Sequence, residues 1–370
     1  MVLKLQKQIN MKFFNKINLI LLLFTVSCLH AQKPIIKKGI WQAVIQRSDG
    51  NNIQFNFISG VKNGKPFITI LNADEKLLID DIKPYKDSVL ITLPFFSARL
   101  RVKVLGDNIL KGIYIKGSGD KKTEIPITAV WGIKERFKSY AKAKRNITGT
   151  WAVTFRGRKT PSQAVGTFEQ SIDGKVKGSF LTPAGDYRFL EGIVSGDTLK
   201  LSGFDGGFAS CFTGIIQNDS TIADGHFYFG AVLHDTWQAN KNDNAQLPDE
   251  FSYSHLRPGE TSLSFSFKDT DGKTVSIKDK KYEGKVVVVQ ILGSWCPNCM
   301  DETEFLSDYY AKNKNRGVEV IGLAYERTEN FFESKKALEP FRKRFNVQYP
   351  FLITGVTPSD SERVEKQFHK

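Results

Sequence analysis

The sequence is poor in cysteine, with four residues of this type among 370. This number excludes a disulfide-dense scaffold, in which cross-links compensate for a small hydrophobic core. The apolar run Leu19–Val26 falls short of the roughly 20 residues of a membrane-spanning helix, and no other segment reaches that length. Neither a Ser/His/Asp set nor a pair of carboxylates at catalytic spacing stands out. The sequence therefore offers little recognisable catalytic chemistry away from its cysteines.

The charge is strongly one-sided. The formal net charge is +14, and most of the excess lies before residue 139. A basic surface can attract anionic lipid or polymer. Because no cluster of arginine and aromatic residues accompanies the lysines, we favour the simpler interpretation that they keep a β-region soluble. No nucleic-acid partner is expected.

Residues 1–31 have the pattern of a signal peptide. Lys12 and Lys16 precede the apolar run, and a short polar region follows it. Cleavage after Ala31 would release a soluble chain, whereas the lipobox-like sequence Thr-Val-Ser-Cys would leave a lipid anchor on Cys28. We favour soluble export, and either route predicts a periplasmic or cell-envelope protein.

Residues 33–240 are predicted to be all-β. Short runs rich in Val, Ile, Phe and Thr alternate with Gly, Asp and Asn, as in half-buried strands joined by turns. Gly39-Ile40-Trp41 and Gly149-Thr150-Trp151 open two similar units. We therefore predict two tandem antiparallel meanders, at 33–138 and 139–240, each a sandwich or a small barrel.

A different pattern follows the polar segment 241–262, which is predicted to be a linker. Alternating strands and helices indicate an α/β domain with parallel strand pairs at 263–370. The strand that precedes the cysteines, 284–295, is a nearly continuous apolar run, which predicts burial on both faces. The predicted elements are a hairpin at 263–277 with Asp271-Gly272 at its turn, strands at 284–295, 317–326 and 349–353, and helices at 298–314 and 329–345. The fold class is thus multidomain, all-β followed by α/β.

The motif Trp295-Cys296-Pro297-Asn298-Cys299 stands where the apolar strand ends and the first helix begins. Free N–H groups and the positive end of the helix dipole would lower the pKa of Cys296 and make it the attacking thiolate. Cys299 lies one turn later, where it can resolve a mixed disulfide by thiol–disulfide exchange. Pro297 costs no hydrogen bond in a first helical turn.

A zinc site and a structural disulfide are the alternatives to a redox pair. Zinc would need two further ligands, and neither Cys211 nor any histidine stands at ligand spacing. A disulfide that closes so short a loop adds little stability. We therefore favour redox chemistry, with Cys211 as a buried apolar thiol or, alternatively, a partner of Cys296.

Residues 263–355 resemble the TlpA/ResA-type thiol–disulfide oxidoreductases, a thioredoxin-fold family of the bacterial envelope. The residues that carry the resemblance are Phe265-x-Phe267-x-Asp269-x-x-Gly272, Gly284 to Val289, Trp295 to Cys299, and Glu302. It implies Cys296 as nucleophile, Cys299 as resolving thiol and a redox-active Cys296–Cys299 disulfide. Trp295 and Pro297 would then contribute to substrate recognition.

Glu302 stands where this family keeps an acid beside the cysteines. An acid near a buried thiol can accept and return its proton, although a solvated glutamate on the helix is the alternative. Cytosolic thioredoxins place a buried Asp six residues before the first cysteine, and this position is Gln290, which cannot carry a proton. Glu302 is therefore the candidate proton carrier.

The resemblance also implies further elements after the third strand, including a cis-proline loop that faces the cysteines. Pro358 follows that strand too closely to be this proline. Either the chain is a fragment, which we favour, or this copy has lost its C-terminus. In both cases we expect a redox domain that is incomplete at its C-terminus, with an open sheet edge and low stability.

The predicted function is that of an envelope thiol–disulfide reductase without a cofactor or metal. Its partners would be oxidised protein thiols or another envelope thioredoxin-like protein, with electrons from a membrane thiol–disulfide transporter. One alternative is a ligand-binding β-region with an auxiliary or inactive redox domain. Its groove would be lined by aromatic residues, namely Phe95, Phe96, Phe204, Phe208, Phe227, Tyr228 and Phe229. A peroxiredoxin-like, antioxidant peroxidase is a weaker alternative, because Gly293 replaces the Thr that such enzymes require.

Overall fold

The computed structural model describes residues 36–94, 97–117, 122–157, 161–249, 256 and 258–361. The predicted signal peptide lies outside these ranges, and so does Cys28 within it. Phe95, Phe96 and part of the predicted linker also lie outside them. Within them, no helix is both long and apolar enough to cross a bilayer.

The first nine strands form one antiparallel sheet in the order β4-β3-β2-β1-β9-β8-β7-β6-β5. The chain runs as a meander whose first and last strands pair with each other, because β1 lies between β2 and β9. Inward-facing side chains alternate with outward-facing ones along these strands, as the sequence pattern predicts. The strands are β1 (Gly39–Ile45), β2 (Ile53–Lys62), β3 (Lys65–Asn72), β4 (Glu75–Ile79), β5 (Ile82–Tyr85), β6 (Ser88–Thr92), β7 (Ala98–Leu105), β8 (Ile109–Lys116) and β9 (Thr123–Trp131).

The next nine strands form a second antiparallel sheet that closes on itself. Its order is β11-β10-β18-β17-β16-β15-β14-β12-β13, and β11 also pairs with β12, which completes a barrel. The strands are β10 (Gly149–Phe155), β11 (Ser162–Gln170), β12 (Lys175–Thr182), β13 (Gly185–Asp186), β14 (Leu190–Ser195), β15 (Thr198–Phe204), β16 (Ala209–Asn218), β17 (Thr221–Phe229) and β18 (Leu233–Lys241). Two tandem antiparallel meanders are thereby confirmed.

The Gly-x-Trp repeat has one structural role in both sheets. Trp41 and Trp151 are fully buried near the start of β1 and β10. Each indole N–H donates to the carbonyl four residues earlier, of Lys37 at 3.0 Å and of Ile147 at 2.8 Å. The repeat therefore encodes a tryptophan that fills the core while its one polar atom is hydrogen-bonded.

The basic sequence of residues 136–146 predicts either a short helix or a linker between the two sheets. The structure contains no helix there, so the linker is the correct alternative. Arg136 is buried there, and its guanidinium donates to the carbonyls of Ser202, at 2.8 Å, and Leu71. The carbonyls belong to different sheets. Through Arg136, this segment therefore joins the two sheets.

The C-terminal part is a five-stranded sheet with two helices. The strand order is β20-β19-β23-β22-β21, in which β21, β22 and β23 run parallel. Asp271-Gly272 forms the predicted turn between β19 and β20, where the φ angle of 85° at Gly272 suits glycine. The elements are β19 (Ser266–Asp269), β20 (Thr274–Ser276), β21 (Val286–Leu292), α1 (Pro297–Asn313), β22 (Val318–Ala324), α2 (Phe331–Arg344) and β23 (Phe351–Ile353).

The prediction that the strand before the cysteines is buried on both faces is wrong. β21 is at the edge of the sheet and pairs only with β22 in the described part of the chain. Ile291, in this strand, is 61% exposed and Val286 is 66% exposed. A continuous apolar run does not show how many neighbouring strands cover a strand, because side chains alternate between the two faces in central and edge strands alike.

Candidate functional site

The loop between β21 and α1 brings the cysteine pair to the end of the sheet. The backbone N–H of Cys296 donates to the carbonyl of Gly293 at 3.0 Å. A Cβ atom on Gly293 would lie 2.3 Å from the indole nitrogen of Trp295, so only glycine fits there. This contact also argues against the threonine that a peroxiredoxin needs at this position.

Glu326 also fixes this loop, through hydrogen bonds with Ser294. The sequence did not single out Glu326 as a site residue. This residue follows β22 and is 5% exposed. Its carboxylate accepts the backbone N–H and the hydroxyl of Ser294, both at 2.8 Å. Burial raises the pKa of Glu326, whereas the bonds from Ser294 and the charge of Arg327 oppose that rise. The apolar run that ends β22 could have identified Glu326, because an acid shortly after a buried parallel strand lies at the carboxyl edge of the sheet, close to the cysteines.

Cys296 is the N-cap of α1. Its sulfur accepts the backbone N–H of Cys299 at 3.3 Å, and Pro297 takes the first helical position. The hydrogen bond from the Cys299 thiol lowers the pKa of Cys296, and backbone N–H groups of Cys299 and Asn298 add to this effect against the cost of burial. The helix start therefore stabilises Cys296 as a thiolate.

Cys299 has the opposite tendency. Donation of its thiol hydrogen to Cys296 and burial raise its pKa, and the negative charge of Cys296 raises it further. Both thiols are free and half-buried in this structure. The pair thus places one thiolate and one protonated thiol a single helical turn apart.

Glu302 lies near both sulfurs on the exposed side of α1. Its negative charge raises the pKa of Cys296 and of Cys299. One of its oxygens accepts an N–H of the Gln290 side chain at 3.1 Å. The side chain is solvent-accessible, so proton exchange with water is open to it.

Gln290 is the centre of a buried polar network behind the cysteines. The residue is 1% exposed, and its amide also donates to the hydroxyl of Thr303 at 2.9 Å. Its carbonyl oxygen accepts the Tyr349 hydroxyl at 3.1 Å. Because Thr303 donates to the carbonyl of Cys299 at 2.6 Å, this network fixes the turn that carries the second cysteine.

The two residues predicted to recognise substrate have different surroundings. Trp295 is half-exposed, its indole N–H donates to the carbonyl of Tyr325 at 2.8 Å, and the guanidinium of Arg327 lies 4.9 Å from the ring centre. Pro297 is buried, because a turn of the β-region covers it. Only Trp295 is therefore presented to solvent in this conformation.

The covering turn is Gly185–Arg188, which consists of β13 and the two residues that follow it before β14. The Arg188 guanidinium donates to the carbonyl of Pro297 at 3.1 Å and pairs with Asp301. It also pairs with Glu75 at 2.5 Å and with Asp205 at 3.2 Å. One arginine thus connects the start of α1 to both β-sheets.

The other candidate residues are parts of the β-cores. Cys211 is a free thiol in β16, and burial raises its pKa to about 12, as expected of an apolar thiol. Of the five described aromatic residues that were predicted to line a groove, Phe204, Phe227 and Tyr228 are buried core residues, and Phe208 and Phe229 are partly exposed. Among the described residues, no group of three or more side chains is arranged to hold a metal ion.

Residues 257–358 match the Redoxin family model. Of the curated relatives, a thiol-disulfide oxidoreductase ResA of Bacillus cereus is 33% identical over 98 residues, 26% of this chain and 52% of that protein. ResA of Bacillus subtilis (strain 168) is 32% identical over 98 residues, 26% of this chain and 50% of that protein. The chain therefore spans about half the length of the curated relatives it matches.

Two solved structures are similar to part of the chain. The thioredoxin domain of a thiol-disulfide oxidoreductase from Bacteroides vulgatus is 24% identical, with a TM-score of 0.24, over 30% of this chain and 74% of that one. A secreted disulfide oxidoreductase from Mycobacterium tuberculosis is 24% identical, with a TM-score of 0.20, over 24% of this chain and 58% of that one.

The Redoxin match and the ResA relatives define the class of the C-terminal part, which is thioredoxin-like. Within that class the similarity is to the TlpA/ResA type, in agreement with the resemblance that the motif suggests. The homology covers this part alone, and the two β-sheets that precede it lie outside the Redoxin match. The fold class, all-β followed by thioredoxin-like α/β, is confirmed.

Proposed function

We propose that this protein is a thiol–disulfide oxidoreductase that reduces disulfides through Cys296 and Cys299. The Cys296 thiolate attacks one sulfur of the substrate, a mixed disulfide forms, and the other substrate sulfur leaves as a thiolate. Cys299 then loses its proton and attacks the Cys296 sulfur. The substrate leaves as two thiols, and its two electrons come from the cysteine pair, which becomes a disulfide.

The observation that carries this proposal is the asymmetry of the two thiols. The N–H of Cys299 and the start of α1 favour charge on Cys296, whereas Cys299 keeps its proton. A nucleophile must be ionised before the reaction, and a resolving thiol must stay unreactive until the mixed disulfide has formed. Glu302 is the side chain we assign to the proton of Cys299, because it lies near both sulfurs and reaches solvent.

The partners we propose are oxidised protein thiols or another envelope thioredoxin-like protein. Trp295, stacked with Arg327, provides a half-exposed aromatic surface beside the nucleophile. Return of the pair to its reduced state requires an external dithiol donor, for which we propose a membrane thiol–disulfide transporter. The signal-peptide pattern at 1–31 supports a place in the cell envelope, with or without lipid on Cys28.

Thiol trapping with mass detection tests the proposal. The protein is equilibrated in graded glutathione or dithiothreitol buffers, with Cys296→Ser and Cys299→Ser as controls. We expect one cooperative two-electron transition confined to the two cysteines, and each variant should abolish it. Independent labelling of the two thiols at every buffer ratio would contradict the proposal.

A further inference from the structure

The turn Gly185–Arg188 lies against the part of the motif between the two cysteines. The side-chain N–H of Asn298 donates to the carbonyl of Asp186 at 3.2 Å. A Cβ atom on Gly185 would lie only 1.9 Å from the Asn298 amide nitrogen, so the approach depends on glycine. Together with the Arg188–Pro297 bond, these contacts close one side of the redox centre.

The contact between the turn and α1 depends on the buried guanidinium of Arg188. Arg188 is 6% exposed, and its backbone φ angle of 58° lies in the left-handed region that disfavours residues other than glycine. Its partners in this contact are carboxylates, of which Asp301 on α1 is half-exposed. Such a strained and charged arrangement persists only where the surrounding structure holds it in place.

On the side of the redox motif, one polar atom of the same contact lacks a hydrogen-bond partner among the described residues. The Asn298 Oδ1 atom is buried and accepts no hydrogen bond from the residues that the structure describes. A buried acceptor without a donor weakens the closed contact relative to an open one in which water reaches it. The contacts shown between the turn and the motif are hydrogen bonds and an ion pair, and polar contacts of this kind are typical of surfaces between parts of a chain that move relative to each other.

We propose that the Gly185–Arg188 turn selects the substrates of the redox centre. With the turn in place, a small disulfide reaches Cys296 from the side of Trp295, whereas a folded protein cannot dock across Pro297 and Asn298. A folded client therefore reacts only when the turn is displaced and Arg188 releases Asp301. This inference rests on the proposed disulfide-reductase function and assigns its specificity to the β-region.

The test compares two substrates with two variants of the full chain. Asp301→Asn removes the charge that Arg188 holds on α1, and Gly185→Ala adds a methyl group where Asn298 lies. Asp308→Asn is the matched control, because Asp308 is on the same helix, is exposed, and pairs with Lys312, away from the turn. Rates are measured by stopped flow for the reduced protein with oxidised glutathione and with insulin as a folded, disulfide-bonded protein.

We expect Asp301→Asn to raise the rate with insulin roughly tenfold, which is the factor that loss of one charge-assisted hydrogen bond gives. Gly185→Ala should raise the same rate, because the added methyl group displaces the turn from Asn298. The rate with oxidised glutathione should change less than about twofold, and Asp308→Asn should change neither rate. An unchanged insulin rate in both variants would overturn the proposal. Equal rises with both substrates would also overturn it, because the thiol itself, not access to it, would then have changed. If oxidised glutathione and insulin both fail to oxidise any form, the proposed reductase function itself is wrong.

Discussion

At the scale of single residues, the chemistry depends on one hydrogen bond that makes two identical thiols unequal. Cys296 accepts from the backbone and thiol of Cys299, so charge on one sulfur keeps the proton on the other. Glu302 acts on both, because its negative charge disfavours either thiolate. Mutation of Glu302 can therefore separate two roles of this residue, its effect on the pKa of the resting Cys296 thiol and its part in proton transfer from Cys299.

Glu302→Gln should shift the pH profile of Cys296 alkylation toward lower pH. The negative charge that raises the pKa of Cys296 is removed, while a side chain of equal size still meets Gln290. If Glu302 also accepts the proton of Cys299, release of the mixed disulfide should slow by roughly a hundredfold at neutral pH. Iodoacetamide labelling and single-turnover trapping of the mixed disulfide measure the two effects.

Glu304→Gln is the control for this variant, since Glu304 is an exposed acid two residues away. It should leave both the alkylation profile and the release step unchanged. An unaltered release rate in Glu302→Gln, despite a shifted alkylation profile, would assign Glu302 an electrostatic role alone.

At the scale of elements, the two β-units reuse one device, the buried tryptophan near the start of the first strand. The indole fills the interior, and its N–H is satisfied by the backbone four residues earlier. A glycine precedes each tryptophan by two residues with a φ angle of 131° at Gly39 and 121° at Gly149. The Gly-x-Trp tripeptide therefore marks, in both units, the point where the chain begins its first strand and its tryptophan enters the core.

Trp151→Phe should lower the free energy of unfolding by about 2 kcal/mol, because it leaves a cavity and an unpaired carbonyl at Ile147. Trp131→Phe should cost less than about 1 kcal/mol, since Trp131 lies partly exposed at the end of β9. Urea unfolding followed by circular dichroism measures both. Equal losses of unfolding free energy in the two variants would show that the burial of Trp151 adds no more stability than the partly exposed Trp131 does.

Most elements were predictable because their causes are local. The hairpin at Asp271-Gly272, the helix that begins at Pro297 and the strand at Val318–Ala324 follow from turn residues, a helix start and apolar runs. The position of β21 was not predictable in this way, because its exposure depends on which strands are its neighbours. The same limit explains why the sequence could not decide between a short helix and a linker at 136–146, where Arg136 is fixed by carbonyls far away in the sequence.

At the scale of the whole molecule, the β-region and the redox part share charges. Lys116, at the end of β8, is largely buried and donates to the carbonyl of Gly207. Burial and the positive charge of Arg327 lower the pKa of Lys116 from 10.5 to about 8, against the opposing charge of Asp205. One cation of the β-region and one of the redox part thus repel each other. No periodicity indicated this pair, or Arg188, because such contacts join residues that are distant in the sequence.

Lys116→Met should stabilise the protein at neutral pH, and the gain should shrink as the pH rises. In the wild type, the unfolded state binds a proton at Lys116 that the folded state lacks between about pH 8 and 10.5, so stability rises with pH there. The favourable contribution of the neutral amine is complete above 10.5 and lost as the pH falls through about 8. Urea unfolding at pH 7 and near pH 10 measures the difference.

Lys103→Met is the matched control, because Lys103 is exposed on β7 and pairs with Asp87. Its difference from the wild type should not follow the same pH course. A constant gain for Lys116→Met across this range would mean that the lysine has the same pKa in the folded and the unfolded state.

Arg188 has a practical consequence for anyone who would transplant the redox part onto another protein. Its carboxylate partners come from three places, Glu75 in the first sheet, Asp205 beside the second and Asp301 on α1. A chimera that exchanges either sheet leaves at least one of these charges without its counterpart in a buried position. The interchangeable unit is therefore larger than the Redoxin match, and a successful graft would carry the arginine and all three acids together.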